Sequence, residues 1–454
     1  MITRYLLPLP KLKSPGVAYH VGSCPPFLHQ LSYHHRRPAK LRPSFWAPPP
    51  LPRSRPCGLA IASSDFCQVF GPGDAVGMTQ SVASPPTTRL GSNLMTHGVK
   101  PPPLTSACTY ASVYQSSVMI KTIIPLLFVG FLAWILQSIR PPPPRICGSP
   151  GGPPITGPRI KLRDGRHLAY KEHGVSKELA RYKVVLVHGF GSSRHEAEIA
   201  TAEAVQELGI YFVSFDRPGY GESDPDPKRS FRSLALDIEE LADQLELGSK
   251  FFVIGFSMGG QVAWGCLKYI SHRLAGAALV CPVINYWWPG FPSNLSTEAY
   301  YQQLPQDQWA LRVAHYTPWL TYWWNTQKLF PSSSVISGRP KLSRRDLEII
   351  SKLADRQSQT EYVTQQGEFE SFHRDMIVGF GKVEFDPMDL KNPFADGEGS
   401  VHLWHGDEDG LVPVALQRYI AEKLPWIRYH EIPNAGHLLV LDNKEAILKE
   451  LFTV

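Results

Sequence analysis

Gly255-Phe256-Ser257-Met258-Gly259-Gly260 is the stretch of this 454-residue chain that decides its fold. It directly follows an apolar run at residues 251–254 and precedes a helix-like segment at residues 261–270. A serine nucleophile at such a strand-to-helix turn adopts a strained backbone, and small residues two before and two after it let neighbouring chains approach. The N-terminus of the following helix favours the negative charge that develops during attack. The stretch therefore predicts Ser257 as a nucleophile, held in a nucleophile elbow by Gly255 and Gly259. The alternative is a glycine-rich turn of a non-catalytic doubly wound protein.

Strand-like and helix-like stretches alternate on both sides of this turn. Short β-branched runs occur at residues 184–187, 210–215, 277–280 and 401–404, and amphipathic stretches such as residues 234–247 separate them. Fully apolar strands that alternate with helices are typical of a mostly parallel sheet with helices on both faces. The alternation lapses between about residues 286 and 394, which hold six of the 11 Trp residues. We interpret this stretch as a helical cap inserted over an α/β sheet.

The predicted nucleophile needs a base, because a serine hydroxyl is a weak nucleophile until its proton is accepted. His437 follows a strand-like run at residues 429–432 and is the predicted base. A carboxylate must orient this base, and the loop at residues 405–410 offers three acidic side chains. We predict Asp409, which lies deepest in that loop. Asp407 is the alternative carboxylate, although an Asp at this position is also explained by a role in forming the turn.

The turn Val187-His188-Gly189-Phe190-Gly191 follows an early strand and is the predicted second wall of the site. Backbone N–H groups hold the oxyanion in acyl transfer, and we assign this role to Phe190 and to Met258, the residue after Ser257. His188 itself is predicted to be structural. This chemistry requires no cofactor and no metal, and no Cys-x-x-Cys or Cys/His spacing among the seven Cys residues indicates zinc.

From Arg159 to the C-terminus, the chain resembles the α/β-hydrolase fold superfamily of the AB hydrolase-1 type. The resemblance rests on the His188-Gly189 turn, a D-R-x-G-x-G-x-S loop at residues 216–223, the G-x-S-x-G turn, the late Asp409 loop and the terminal Gly436-His437. It implies an eight-stranded sheet, a cap inserted after strand six, and a triad in the chain order Ser257, Asp409, His437. Related members include esterases, lipases, peroxidases, lyases and hormone receptors, so the resemblance supplies no substrate.

Residues 1–118 are not predicted to form a folded domain. They hold 18 of the 42 Pro residues, and 11 Lys and Arg against two acidic residues, whereas the remainder carries a slight excess of acids. An acid-poor leader that bears Arg and Ser is typical of an organelle transit peptide. The alternative is that this leader is absent from the working protein, with Met119 as its true start.

Residues 119–140 form the predicted membrane segment. Its apolar core at residues 123–136 is short for a spanning helix, which needs about 20 residues, and long for a soluble surface helix without a polar face. We interpret it as the signal anchor of an endomembrane protein, with the ER as the expected location; a cleaved signal peptide and a buried helix are the alternatives. Residues 141–158, rich in Pro and Gly, are the predicted linker, and residues 159–454 are the predicted hydrolase domain.

Two local patterns accompany this organisation. The stretch from Met119 through Pro141–Pro144 to G-S-P-G-G at residues 148–152 resembles a plant subgroup of membrane-associated α/β-hydrolases. Asn294-Leu295-Ser296, in the predicted cap, is an N-glycosylation sequon.

The predicted function is hydrolysis of a carboxylic ester, an apolar acyl ester or lipid, by a serine hydrolase through an acyl-enzyme. The alternative is a hydrolase-fold receptor that binds a small apolar ligand. The charge balance after residue 118 argues against a nucleic-acid partner. The sequence does not indicate an oligomeric state. His437 and Asp442 also fit the H-x4-D pattern of glycerolipid acyltransferases, which we attribute to chance because His437 already has a role.

Overall fold

A computed structural model of the chain describes residues 105–195, 200–352 and 359–453. Most of the predicted leader lies outside the described residues. Helix α1 (Thr105–Ile139) begins within that leader and contains nearly all of the predicted membrane segment. Its stretch Met119–Ile139 has 21 residues, reaches a mean hydropathy of 2.2 and is not buried by the rest of the described protein. By length and composition, this one stretch is able to cross a membrane.

The hydrolase domain is built on one sheet of eight strands in the order β1-β2-β4-β3-β5-β6-β7-β8. Strand β2 pairs antiparallel with β1 and β4, and all other neighbouring strands are parallel. The predicted mostly parallel, eight-stranded sheet is therefore confirmed. The strands are β1 (Arg159–Lys161), β2 (His167–Gly174), β3 (Tyr182–Val187), β4 (Ile210–Phe215), β5 (Phe251–Phe256), β6 (Leu274–Val280), β7 (Val401–Gly406) and β8 (Ile427–Ile432).

Helices cover both faces of the sheet because its central strands are apolar on both sides. Along β3, Val185 and Val187 join one hydrophobic cluster, while Val184 and Leu186 join another. Helices α3 (Phe231–Gln244), α4 (Met258–Tyr269) and α11 (Val414–Lys423) contribute to the first cluster. Helices α2 (Ala202–Leu208) and α12 (Lys444–Phe452) contribute to the second.

The predicted cap is confirmed as a helical insertion between β6 and β7. It contains α5 (Ser293–Tyr301), α6 (Pro305–Tyr316), α7 (Thr321–Thr326), α8 (Arg344–Lys352), α9 (Gln359–Val363) and α10 (Arg374–Phe380). Its aromatic residues divide into two groups. Trp288 and Phe291 are buried in the first hydrophobic cluster, whereas Trp309 and Trp319 are 54% and 62% exposed. Only part of the aromatic content is therefore explained by packing of the cap on the sheet.

A buried ionic network joins the cap to the loop after β4. The carboxylate of Asp375, on α10, accepts two hydrogen bonds from Arg217 at 2.7 and 2.6 Å, one from Arg229 at 2.8 Å and one from the Tyr220 hydroxyl at 2.7 Å. Burial raises the pKa of Asp375, but the charges of Arg217 and Arg229 outweigh burial and leave the pKa below its usual value. This one carboxylate thus pairs with two buried guanidinium groups.

We expect Asp375→Ala to lower the free energy of unfolding by about 3–5 kcal/mol, because it leaves two buried cations without a partner. Urea unfolding of the purified full chain measures this loss. The matched control is Glu348→Ala, which breaks surface pairs with Arg344 and Arg345 and is expected to cost less than about 1 kcal/mol. Equal losses from the two variants would show that the Asp375 network contributes no more than a surface ion pair.

Candidate active site

Ser257 occupies the junction between β5 and α4. Its backbone has φ 55° and ψ −115°, a combination that a residue other than glycine rarely adopts. The flanking glycines permit the turn because backbone atoms of neighbouring segments occupy the space that a side chain would need. A Cβ on Gly255 would lie 2.3 Å from the carbonyl oxygen of Gly259, and one on Gly259 would lie 2.1 Å from that of Val187. The structure thus places Gly255, Ser257 and Gly259 in the strained turn expected from their spacing.

The structure brings Ser257, His437 and Asp409 into one hydrogen-bonded chain. The Ser257 hydroxyl lies 2.9 Å from Nε2 of His437 and donates to it in the tautomer where Nδ1 carries the proton. Nδ1 of His437 in turn donates to Oδ2 of Asp409 at 2.7 Å. All three side chains are buried. Nucleophile, base and carboxylate therefore stand in the order that general-base activation of a serine requires.

Asp409 is fixed in its loop, whereas Asp407, the alternative carboxylate, does not hydrogen-bond to His437. The N–H groups of Leu411 and Val412 donate to Oδ1 of Asp409, both at 2.9 Å, which leaves Oδ2 for His437. Burial raises the pKa of Asp409, but the charge and hydrogen bond of His437 outweigh it and leave the pKa below its usual value. Among the described residues, Asp407 accepts only from the backbone N–H of Ala435, at 3.4 Å, a contact with the loop that precedes His437 rather than a bond within its own turn.

The pKa of His437 reflects the same pairing. Burial lowers it, but the charge and hydrogen bond of Asp409, followed by the charge of Asp346, outweigh burial and hold it above the ordinary value. His188 differs, since burial and then the Arg217 charge lower its pKa to about 3, and Nε2 of His188 accepts the backbone N–H of Arg217. His188 is therefore a neutral structural residue.

The two residues assigned to the oxyanion hole border the nucleophile. Met258 is the first residue of α4, and a backbone N–H at this position has no acceptor within its helix. Phe190 follows the Gly189 turn, where an added Cβ would lie 3.2 Å from Cβ of Ser257. Both residues line a cavity of about 110 Å³ that also contains Ser257 and His437. Their positions fit the predicted role.

The cavity is largely apolar and is walled on one side by the cap. Its other lining residues are Val283, Ile284, Tyr286, Gln303, Asp307, Leu311, Ser333, Val335, Met376, Phe380, Leu411 and Val412.

Asp346 is a positioning residue that the sequence does not reveal. It lies on the cap helix α8 and is fully buried. Its Oδ2 accepts from the backbone N–H of His437 at 3.0 Å, and its Oδ1 accepts from that of Leu438 at 2.8 Å. Gly436 permits this approach, since a Cβ there would lie 2.1 Å from Oδ2 of Asp346. The cap thus holds the backbone of the predicted base.

The only local signal for Asp346 is a capping pattern. The Ser343 hydroxyl accepts from the backbone N–H of Asp346, and the Asp346 carboxylate accepts from the backbone N–H of Ser343, both at 3.1 Å. This S-x-x-D pattern marks the start of a helix. It does not reveal that the remaining lone pairs of the carboxylate reach a residue 91 positions further along the chain.

Two groups of described side chains hold three potential metal ligands within 4.8 Å of one another. The first, Cys281, His405 and Asp409, shares its carboxylate with His437, and burial raises the pKa of the Cys281 thiol well above its usual value. In the second, which contains His402, His430 and Glu450, the two imidazoles are hydrogen-bonded to each other at 2.9 Å. In both groups, protein partners already occupy part of the ligand set.

Comparisons with known proteins agree with this architecture. A sequence profile described as the alpha/beta hydrolase family matches residues 184–450. Protein ABHD14A of Rattus norvegicus is 28% identical over 161 residues, which are 35% of this chain and 66% of that protein, so the chain spans just under two thirds of this relative.

Solved structures show the same similarity at low identity. An esterase from Thermogutta terrifontis is 21% identical with a TM-score of 0.41, over 65% of this chain and 96% of its own. A bromoperoxidase from Bacillus anthracis is 19% identical with a TM-score of 0.44, over 65% of this chain and 98% of its own.

We expect Asp346→Asn to slow labelling of Ser257 by a fluorophosphonate about 10- to 100-fold, because an amide retains one acceptor for three backbone N–H groups and displaces His437. The acid limb of the pH–labelling profile also moves to lower pH. The reason is that Asp346 is one of the charges that raise the pKa of His437, so without it the neutral imidazole persists at lower pH.

Asp442→Asn is the matched control for this labelling experiment. Asp442 binds Arg345 on the same helix α8, at 2.8 Å and in a half-exposed position, and makes no contact with the base. Labelling of this variant should match the unmodified protein. If both variants were slowed equally, or if the acid limb of Asp346→Asn did not move, a direct effect of Asp346 on His437 would be ruled out.

Proposed function

The chain belongs to the alpha/beta hydrolase family, and on that premise we propose that it is a serine hydrolase of carboxylic esters. The observation that carries this proposal is the buried chain from Ser257 through His437 to Asp409, with its two hydrogen bonds of 2.9 and 2.7 Å. Each residue then has one chemical role. The hydroxyl of Ser257 is the nucleophile, the imidazole of His437 is the base, and the carboxylate of Asp409 orients that base.

Acylation is the first half of the proposed reaction. His437 Nε2 accepts the proton of Ser257 as Oγ attacks the ester carbonyl, and Asp409 stabilises the imidazolium that forms. The N–H groups of Phe190 and Met258 hold the negative oxygen of the tetrahedral intermediate, aided by the N-terminus of α4. His437 then protonates the departing alcohol, and the acyl group remains as an ester on Ser257.

Deacylation repeats these steps with water. His437 removes a proton from a water molecule, which attacks the acyl carbonyl, and the same two N–H groups hold the second oxyanion. The intermediate collapses when the Ser257–acyl bond breaks and His437 returns its proton to Oγ. The carboxylic acid leaves, and the site returns to its starting state. The residues of this chain supply every proton transfer in the cycle.

The cavity favours a compact acyl group over a long lipid chain. Its volume is about 110 Å³, and an engineered apolar cavity of about 150 Å³ accommodates benzene. A short or branched acyl group therefore fits, whereas a long chain would need space outside the described cavity. Of the two substrate types considered from sequence, a small apolar acyl ester is the better match.

In a series of p-nitrophenyl esters, we expect the acetate to the butyrate to be hydrolysed fastest. The kcat/KM for the decanoate should be at least tenfold lower (about 1.4 kcal/mol), because its acyl chain is longer than the cavity. Ser257→Ala should lower kcat by about 10³-fold or more, as removal of a catalytic serine does elsewhere. Circular dichroism verifies that both proteins are folded. Folded protein with no activity above that of Ser257→Ala would overturn the ester hydrolase and favour the ligand receptor.

We further propose that Met119–Ile139 anchors the protein in an endomembrane, the ER. At 1.5 Å per residue, a helix of this length spans about 30 Å, the thickness of a bilayer core. Its bulky apolar side chains point outward, with Leu126 72% exposed. Contact with lipid removes that apolar surface from water.

If Met119–Ile139 is a membrane anchor, the full chain expressed in the presence of microsomes should stay in the membrane pellet after alkaline carbonate extraction. Replacing Leu126 and Leu127 by Lys should release it, because two charges at the centre of a span are costly. Leu329→Lys, at an exposed position of the cap, is the control and should remain in the pellet. Release of the unmodified chain would contradict the anchor. An endoglycosidase-sensitive glycan on the exposed Asn294 would place the hydrolase domain in the lumen.

A further inference from the structure

Apart from Ser257 and His437, the polar lining of the cavity comes mainly from the cap. Gln303, Asp307 and Ser333 line it, whereas most other lining side chains are apolar. Asp307 lies in the first turn of α6 and is 8% exposed. Tyr286 lines the same cavity, and its pKa is raised by burial, then by Asp409 and Tyr300, and last by Asp307. An acidic side chain therefore faces the space that a substrate of Ser257 would fill.

Only one oxygen of the Asp307 carboxylate has protein donors. Oδ1 accepts from the Ser333 hydroxyl at 2.9 Å and from the backbone N–H of Ser334 at 2.7 Å. Within the described part of the chain, nothing donates to Oδ2, and no Lys, Arg or His forms an ion pair with Asp307. Oδ2 is not among the fully enclosed side-chain atoms that lack a partner, so it opens to the cavity. Displacing water from it without supplying another donor is unfavourable.

This arrangement is exceptional within the described residues. Nine other Asp and Glu residues are buried, and each of them has a donor on both carboxylate oxygens. Asp386 is the closest match in the cap, since Met388 and Gly290 donate backbone N–H groups to its two oxygens. A purely structural carboxylate is thus fully paired in this protein, and Asp307 is not.

We propose that Oδ2 of Asp307 binds a hydrogen-bond donor on the substrate, a hydroxyl or an ammonium group. The inference rests on the proposed ester hydrolysis and narrows its substrate class to compact esters that combine an apolar body with one such donor. Ser333 strengthens the subsite, because its hydroxyl donates to Asp307 and therefore keeps its lone pairs as acceptors. The apolar walls exclude a second polar group without a partner.

The subsite acts on specificity through the free energy of unpaired groups. A substrate without the donor leaves Oδ2 unpaired and displaces any water that served it. A substrate with the donor restores the hydrogen bond. Sites that hydrogen-bond a substrate hydroxyl reject the analogue that lacks it by factors of up to about 10⁴–10⁵. Because the polar region forms one part of an apolar cavity, we expect a preference of about 10- to 100-fold.

The test compares kcat/KM of the full chain for ethyl butyrate, ethyl 3-hydroxybutyrate and ethyl 3-aminobutyrate, with 2-hydroxyethyl butyrate to place the donor on the alcohol side. We expect at least one donor-bearing ester to exceed its plain counterpart about 10- to 100-fold. Asp307→Leu should abolish that ratio. Asp307→Asn should keep a preference for a hydroxyl and lose one for an ammonium group, which distinguishes the two donors.

Ratios within one variant do not depend on the fraction of folded protein, so partial misfolding does not obscure the result. Asp386→Asn is the matched control and should leave the ratio unchanged. Equal ratios in the unmodified protein and Asp307→Leu, or the same change in Asp307→Leu and Asp386→Asn, would overturn the subsite while ester hydrolysis stands.

A second readout separates the subsite from the reaction. Thermal stabilisation of Ser257→Ala by the same four esters reports binding without turnover. If no ester is hydrolysed but a donor-bearing ester binds selectively and Asp307→Leu removes that selectivity, the subsite stands and the hydrolase proposal fails. Absence of both hydrolysis and selective binding overturns the two together.

Discussion

The strained backbone of Ser257 is the constraint on which the rest of the structure depends. With φ at 55°, the chain reverses from β5 into α4 within one residue and presents the hydroxyl above the end of the sheet. The reversal requires backbone atoms of Gly259 and Val187 to lie where side chains would otherwise be. Strand β3 must therefore lie beside β5, as the sheet order has it. The Gly189 turn consequently lies against the nucleophile.

Two buried carboxylates connect the cap to the rest of the domain, and they make different contacts. Asp375 joins the cap to the loop after β4 by pairing with two buried guanidinium groups. Asp346 joins the cap to the backbone of the predicted base, and its charge contributes to the raised pKa of that base. A cap that moved as a rigid body would break both contacts. The geometry of the base thus depends on a correctly seated insertion rather than on the sheet alone.

The fold and the three central site residues could be predicted from sequence because they follow local rules. Ser257 directly follows β5, and Asp409 and His437 lie in the loops after β7 and β8. Parallel strands bring their carboxyl ends to one edge of the sheet. Asp346 and Asp375 could not be predicted in this way, because their partners are 91 and 158 positions away. The cap helices were equally hard to place, since their packing, not a period in the sequence, determines which faces are buried.

Asp307 shows why the polar groups that line a cavity are harder to predict from sequence than a catalytic residue. Its neighbours in the chain mark a helix start, where an acidic residue is favourable for the helix itself. Only the position of Ser333, a cap residue outside that helix, reveals that one oxygen is occupied and the other is not. The insertion that positions the base through Asp346 also carries this oxygen into the cavity. In the proposed enzyme, substrate recognition and activation of the nucleophile therefore depend on the same part of the chain. A change in the cap that alters specificity must then preserve the contact between Asp346 and the backbone of His437.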